Sequence, residues 1–156
     1  MFLKVSGRYY YFTEAPEYAP KIEEFARKLA EKLKLSVFPE LKYALIKPME
    51  SAYFPYEHTI VLPSSEKLYK TEELEKFLKH IVTHEMGHAA FYKKYPKLGR
   101  FLHGMRIVRA PRVPVFLEEV AASLKGIRAA KQLGYKFSLS DILKHIMSNL
   151  TYLIMS

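Results

Sequence analysis

The chain contains no cysteine among its 156 residues. The absence of thiols excludes disulfide bonds and any zinc site built from thiolates, and it agrees with a reducing or a hot compartment. Aspartate, asparagine and glutamine each occur once, as Asp141, Asn149 and Gln132. Because lysine and glutamate enrichment with few amides is the direction seen in hyperthermophile proteins, we expect a thermophilic source.

Long apolar segments are also missing. No run approaches the roughly 18 apolar residues that a membrane-spanning helix requires. The first twelve residues, MFLKVSGRYYYF, lack the apolar core and cleavage site of a signal peptide, so we expect a cytoplasmic protein. A chain of 156 residues with 49% hydrophobic content is most simply one domain with a real core.

The most informative feature is the pentapeptide HEMGH at residues 84–88, which has the form HExxH. On a helix, positions i and i+4 share a face, so His84 and His88 can reach one metal ion. Glu85 lies just aside, where it can take a proton from a metal-bound water. The motif therefore predicts a zinc hydrolase, provided that its surroundings are helical.

The surrounding segment, residues 71–93, has the periodicity of an amphipathic helix. Its apolar positions recur at helical spacing: Leu74, Phe77, Leu78, Ile81 and Val82. Thr71 is a suitable N-cap, and Pro96 and Gly99 follow as stop signals. Gly87 is costly inside a helix, which indicates that another backbone approaches closely at this point.

A catalytic zinc ion usually has three protein ligands, and the chain offers two candidates for the third. One is in the segment PVFLEEVAASLKGIRAAK, residues 114–131, which has the apolar periodicity of a helix. Glu119 has small residues on its side of that helix, which would let the helix press against the HExxH helix. Glu118 has Lys125 on its side of the helix and is interpreted as solvated, so we favour Glu119. The other candidate is His103, in a stretch interrupted by glycines and prolines that reads as a loop.

HEMGH followed about thirty residues later by the helical sequence EVAAS resembles the gluzincin type of zinc metallopeptidase. In those families the second helix carries E-x-x-A-[D/N/S], and its Glu is the third ligand. Glu119, Ala122 and Ser123 match this pattern position by position. The small size makes the chain most similar to the single-domain minigluzincins, over about residues 40–131. That resemblance implies one catalytic Zn²⁺ ion held by His84, His88 and Glu119.

A second resemblance concerns His103 and Gly104, in the segment between the two helices. Spartan-type proteases, which degrade proteins crosslinked to DNA, have a third ligand in an HGxxF pattern, and His103 and Gly104 lie at a similar distance from HExxH. The chain departs from that pattern at Ile107, and Pro111 and Pro114 would shorten the helix expected there. The net charge of +9 can attract nucleic acid, although a lysine-rich soluble surface is the simpler interpretation.

The remaining chain completes an α+β, zincin-like fold: a small mixed sheet, an N-terminal helix, the HExxH helix, the glutamate helix and a C-terminal helix. Residues 1–156 form a single domain, in which 1–70 hold the N-terminal helix (residues 20–34) and the sheet. The strands are predicted in residues 2–12, 41–47 and 57–63. The C-terminal helix is predicted over 138–155, and the minigluzincin resemblance implies that this segment can block the cleft.

These observations predict a zinc-dependent metalloendopeptidase that acts on a peptide or protein, with Glu85 as general base. Two alternatives stay open: a zincin scaffold that binds or regulates without proteolysis, and a Spartan-like, DNA-associated protease that uses His103 as a ligand. Neither the substrate specificity nor the oligomeric state follows from the sequence.

Overall fold

The computed structural model describes residues 2–5, 8–46, 50–64, 71–107, 112–138 and 140–141. This part of the chain has a mixed α+β fold, which confirms the expected class. The strands are β1 (Phe2–Val5), β2 (Arg8–Thr13), β3 (Glu40–Ala44), β4 (Ala52–Phe54) and β5 (Thr59–Pro63). The helices are α1 (Ala19–Lys32), α2 (Thr71–Lys94), α3 (Pro96–Ile107) and α4 (Arg112–Gln132). None of the described helices is long and apolar enough to cross a bilayer.

The five strands form one sheet in the order β1-β2-β3-β5-β4. Strand β3 pairs with β5 in parallel, with Leu41 opposite Ile60, and the other neighbours are antiparallel. Strand β5 is buried along its whole length because it has a partner on each side and is covered on both faces. Strand β4, which the sequence analysis did not predict, is an edge of the described sheet.

Side chains of β5 alternate between two hydrophobic clusters, as the period of a strand requires. Val61 faces the smaller cluster with Tyr10, Ala44 and Phe54. The larger cluster lies between the sheet and the helices α1, α2 and α4. Its fully buried members are Ile22, Ala26, Leu29, Ile60, Leu62, Leu78, Val82, Met86 and Ala130. The face of α2 that the periodicity predicted to be apolar thus fixes this helix beneath the sheet.

Helices α2 and α4 touch through their backbones at two reciprocal points. A Cβ atom on Gly87 would lie 1.9 Å from the carbonyl oxygen of Ala122. A Cβ atom on Gly126 would lie 2.0 Å from the carbonyl oxygen of Thr83. The close approach expected at Gly87 is therefore confirmed, and α4 makes it through a glycine of its own.

The segment after Pro96 is a helix, α3, and the prediction of a loop around His103 was wrong. Pro96 ends α2 as expected, but a proline is also well suited to the first turn of the next helix. Gly99 does not break α3, since it packs against the ring of Tyr92, where a Cβ atom would be 2.5 Å from Cδ1. A glycine that serves a close contact had been interpreted as a stop signal.

Part of the predicted C-terminal helix, 138–155, is described. The backbone N–H of Ser138 donates to Asp141 Oδ2 at 2.9 Å, and the N–H of Asp141 donates to Ser138 Oγ at 3.1 Å. This reciprocal pair is a capping box, which marks a helix start. The rest of the prediction, residues 139 and 142–155, lies outside the described residues.

Alanine at either glycine of the α2–α4 contact should destabilise the protein. Gly87→Ala and Gly126→Ala each place a methyl group against a carbonyl, and we expect each to lower the free energy of unfolding by about 1–3 kcal/mol. Guanidinium denaturation followed by circular dichroism measures this. Gly104→Ala, in α3 with nothing within 4 Å of the added atom, is the control. It should be neutral or stabilising by up to about 1 kcal/mol. If Gly87→Ala behaves like this control, the helices do not need the close contact.

Candidate metal centre

The contact between α2 and α4 brings three potential metal ligands together. His84 and His88 lie one turn apart on α2, and Glu119 lies on α4. Their ligand atoms are all within 4.8 Å of one another, and within the described residues they form the cluster that could hold a metal ion. Glu118 and His103, the two alternatives for the third position, are not part of this cluster.

The three ligand atoms form a compact triangle. Oε2 of Glu119 is 2.8 Å from Nε2 of His84 and 3.1 Å from Nε2 of His88, and the two nitrogens are 3.1 Å apart. Tetrahedral coordination with bonds of 2.0–2.1 Å requires ligand atoms roughly 3.3 Å apart. An ion therefore fits after the triangle opens by a few tenths of an ångström. Two imidazoles and a carboxylate suit zinc, and they also suit other first-row metals.

Each histidine is held by a second side chain of α4. Ser123 Oγ lies 2.8 Å from Nδ1 of His84, and Oε1 of Glu118 lies 3.1 Å from Nδ1 of His88. When each Nδ1–H donates to its oxygen, each Nε2 keeps its lone pair for a metal ion. Ligating histidines in metalloproteins generally have such partners, which orient the ring and raise its basicity.

The interpretation of Glu118 as a solvated residue was wrong, because its exposed fraction is only 2%. Lys125 follows it two helical turns later, but the Glu118 carboxylate faces His88. The error has a physical cause. An HExxH motif identifies two histidines that can share a metal ion, but it does not identify the groups that accept hydrogen bonds from the second nitrogen of each ring. The sequence did contain a signal for the partner of His84. Ser123 is a polar residue at the last position of the E-x-x-A-[D/N/S] pattern, and it contacts Nδ1 of His84.

The charges of the cluster favour a cation. Burial by itself would lower the pKa of His88, but the charge of Glu119 and the hydrogen bonds that His88 donates to Glu118 and Glu119 raise it to about 10. Burial would raise the pKa of Glu119, yet His88 and the hydrogen bond from His84 hold it well below its usual value. Two buried carboxylates thus share the charge of one imidazolium, whose Nδ1–H faces Glu118 and whose Nε2–H faces Glu119. A divalent ion can take the place of the Nε2 proton and supply its charge.

Glu85 and His103 lie outside the ligand triangle. Glu85 is buried beside it on α2, and its negative charge contributes to the raised pKa of His88. His103 is buried on α3, where its ring packs edge-on against Tyr56 with centroids 5.4 Å apart. The structure therefore brings Glu85 to the cluster and leaves His103 outside it, against Tyr56.

Metal content should distinguish Glu119 from His103 as the third ligand. We expect one zinc ion per wild-type chain, loss of that ion in Glu119→Ala, and retention in His103→Ala, as measured by native mass spectrometry. Circular dichroism establishes that each variant is folded. Loss of the ion from His103→Ala, with Glu119→Ala unaffected, would support the Spartan-like arrangement instead. A wild-type protein that takes up no added zinc would exclude this centre.

Removing either histidine partner should weaken metal binding without abolishing it. For Glu118→Gln and Ser123→Ala we expect an affinity about 10- to 100-fold lower, because the rings lose orientation and basicity. Competition with a chromogenic chelator measures the affinity. Glu24→Gln on the exposed surface of α1 is the matched control and should bind as wild type does. Wild-type affinity in both site variants would mean that these contacts do not support the ligands.

No protein family, curated protein or solved structure matches the chain significantly. The properties assigned to the centre therefore rest on its own geometry and chemistry.

Proposed function

We propose that the protein is a zinc-dependent metallopeptidase that hydrolyses peptide bonds. One observation carries the proposal. Three candidate ligands, His84, His88 and Glu119, lie together, and the carboxylate of Glu85 is buried close to His88. A purely structural zinc site is closed by four protein ligands, whereas a catalytic one keeps a position for water or substrate. Three candidate ligands beside a buried carboxylate that is not one of them correspond to the second type.

The ligand side chains would hold the ion as neutral imidazoles and a carboxylate, with Ser123 and Glu118 fixing the rings. The ion, when bound, would polarise the substrate carbonyl and lower the pKa of its water toward about 7. The protein's own contribution is to exclude bulk water, since the ligands are mostly buried, and to keep Glu119 charged.

Glu85 would move the proton of the reaction. As the water oxygen bonds to the carbonyl carbon, the Glu85 carboxylate accepts the proton that the water loses. It then delivers this proton to the amide nitrogen, so that the C–N bond breaks and the nitrogen leaves as an amine. Its place next in sequence to His84 keeps it near both partners without making it part of the ligand triangle.

The edge strand β4 supports a peptide as the substrate. It packs close to α2, since the ring of Tyr53 on β4 lies 5.8 Å from the ring of Tyr92 on α2. An extended peptide can pair with the free side of an edge strand by main-chain hydrogen bonds. Such a peptide would run along the helix that carries the two histidines.

Replacing Glu85 with glutamine should separate metal binding from turnover. The amide has the same shape but cannot accept the proton, so we expect Glu85→Gln to keep its zinc and to lose activity on unfolded protein by about 10²-fold or more. Metal analysis and a casein-type cleavage assay measure the two properties, with Glu24→Gln as the control.

Full turnover in Glu85→Gln would remove this residue from the proposed role. A wild-type protein that holds zinc but cleaves no unfolded substrate would support the alternative of a non-proteolytic binding module.

A further inference from the structure

A pocket of about 520 Å³ lies beside the metal centre. Its walls come from the connection between α1 and β3, from the β4–β5 hairpin, and from the facing sides of α2 and α3. No ligand group of the metal centre lines it. Its volume is within the range of small-molecule and side-chain sites, which is about 300–1,000 Å³.

The pocket begins immediately beyond the metal ligands on α2. Ala89, which lines it, directly follows His88, and Tyr92, also in its wall, comes one turn after His88. With a rise of 1.5 Å per residue, four residues correspond to about 6 Å along the helix axis. Glu85, Ala89 and Tyr92 also share one side of α2, because they are spaced at i, i+4 and i+7. A group bound in the pocket is therefore close to the carboxylate proposed as general base.

The walls are held in place by a chain of hydrogen bonds. His58 Nε2 lies 2.8 Å from the carbonyl oxygen of Val37, so it carries the hydrogen of the ring and donates it. Nδ1 of His58 then accepts from the hydroxyl of Tyr53, also at 2.8 Å. Burial raises the pKa of Tyr53 to about 12, which keeps that hydroxyl protonated as a donor. The hairpin and the α1–β3 connection are thus tied together, and the pocket is formed before a ligand enters.

The surface of the pocket combines exposed apolar side chains with positively charged ones. Val37 and Tyr56 at its rim are 64% and 66% exposed. Lys93 and Arg100 supply two exposed cations, and the Lys93 ammonium is directed by a hydrogen bond to the carbonyl of Lys34. Within the described part of the chain, no aspartate or glutamate is among the lining residues. The complement of such a surface is a hydrophobic group that carries a negative charge close by.

We propose that this pocket is a specificity site, which binds an aromatic or large aliphatic side chain of the substrate together with an adjacent carboxylate. The inference rests on the proposed peptidase function and deepens it: the preferred substrates contain a hydrophobic residue next to an acidic one near the scissile bond. The tyrosines contact the apolar side chain, and Lys93 and Arg100 contact the carboxylate.

Nucleic acid shares two of these features, negative charge and flat rings, but the geometry favours a peptide. Single-stranded nucleic acid is generally bound along a groove that follows several phosphates and bases. Here the two cations, Lys93 and Arg100, lie at a single pocket, against the helix that carries the two histidines. Binding of an oligonucleotide is therefore a distinguishing outcome of the test.

The test measures binding separately from cleavage. Zinc-loaded Glu85→Gln is titrated, by fluorescence anisotropy, into three labelled peptides that differ only in a central Phe-Glu, Phe-Lys or Ala-Glu pair. A single-stranded DNA of similar length is the fourth probe. We expect Phe-Glu to bind about tenfold more tightly than either other peptide and more tightly than the DNA.

Charge variants then locate the interaction. In the Glu85→Gln background, Lys93→Ala with Arg100→Ala should weaken Phe-Glu binding about tenfold and leave Phe-Lys binding nearly unchanged. Lys94→Ala with Lys97→Ala removes the same charge from neighbouring exposed residues that do not line the pocket, so it is the matched control. We expect less than a twofold effect in this control.

Equal binding of the three peptides would overturn the proposal. An equal loss of Phe-Glu affinity in both double variants would also overturn it, because that result indicates general charge attraction. Tighter binding of the DNA would also overturn it. Failure of the peptidase function looks different: selective Phe-Glu binding would persist, while the wild-type protein would cleave none of the peptides.

Discussion

The contact between the backbones of α2 and α4 is the constraint on which the site depends. A glutamate side chain is short, so Glu119 can reach two histidines of another helix only if the helices nearly touch. Gly87 and Gly126 make that possible from opposite sides, each against a carbonyl of the other helix. On α2 the two contacts lie at Thr83 and Gly87, each directly before one of the histidines. On α4 they lie at Ala122 and Gly126, within two turns of Glu119, so they limit sliding or tilting of α4 relative to the imidazoles. Packing therefore determines the coordination geometry.

The same contact also requires that two buried negative charges be compensated. It buries Glu118 and Glu119 beside each other, and a buried carboxylate is costly unless it is paired and hydrogen-bonded. Both carboxylates are paired with His88, whose second ring nitrogen and raised pKa serve this purpose. Positive charge at the centre of the helix pair, supplied by a proton or by an ion, therefore stabilises it. Fold stability and metal affinity are coupled through this charge.

The features that the sequence predicted are those expressed in local spacing. The period of 3.6 residues identified α1, α2 and α4, and the i, i+4 histidines defined one side of the site. The predictions were wrong where the role of a residue depends on a partner outside its own helix or strand. Gly99 packs on Tyr92 and does not end a helix, and the three-residue strand β4 is stabilised by pairing with β5. Glu118 was misassigned because its partner, His88, lies thirty residues away in sequence.

The pocket wall and the ligand set belong to different parts of the chain, apart from α2. Val37 lies on a connection, Tyr56 on a hairpin turn and Arg100 on α3, whereas the ligands lie on α2 and α4. These outer segments can vary in sequence and length without displacing the candidate ligands, since loops tolerate change better than the elements they connect. The pocket can accordingly be altered by exchanging surface segments, while His84, His88 and Glu119 keep their places on α2 and α4.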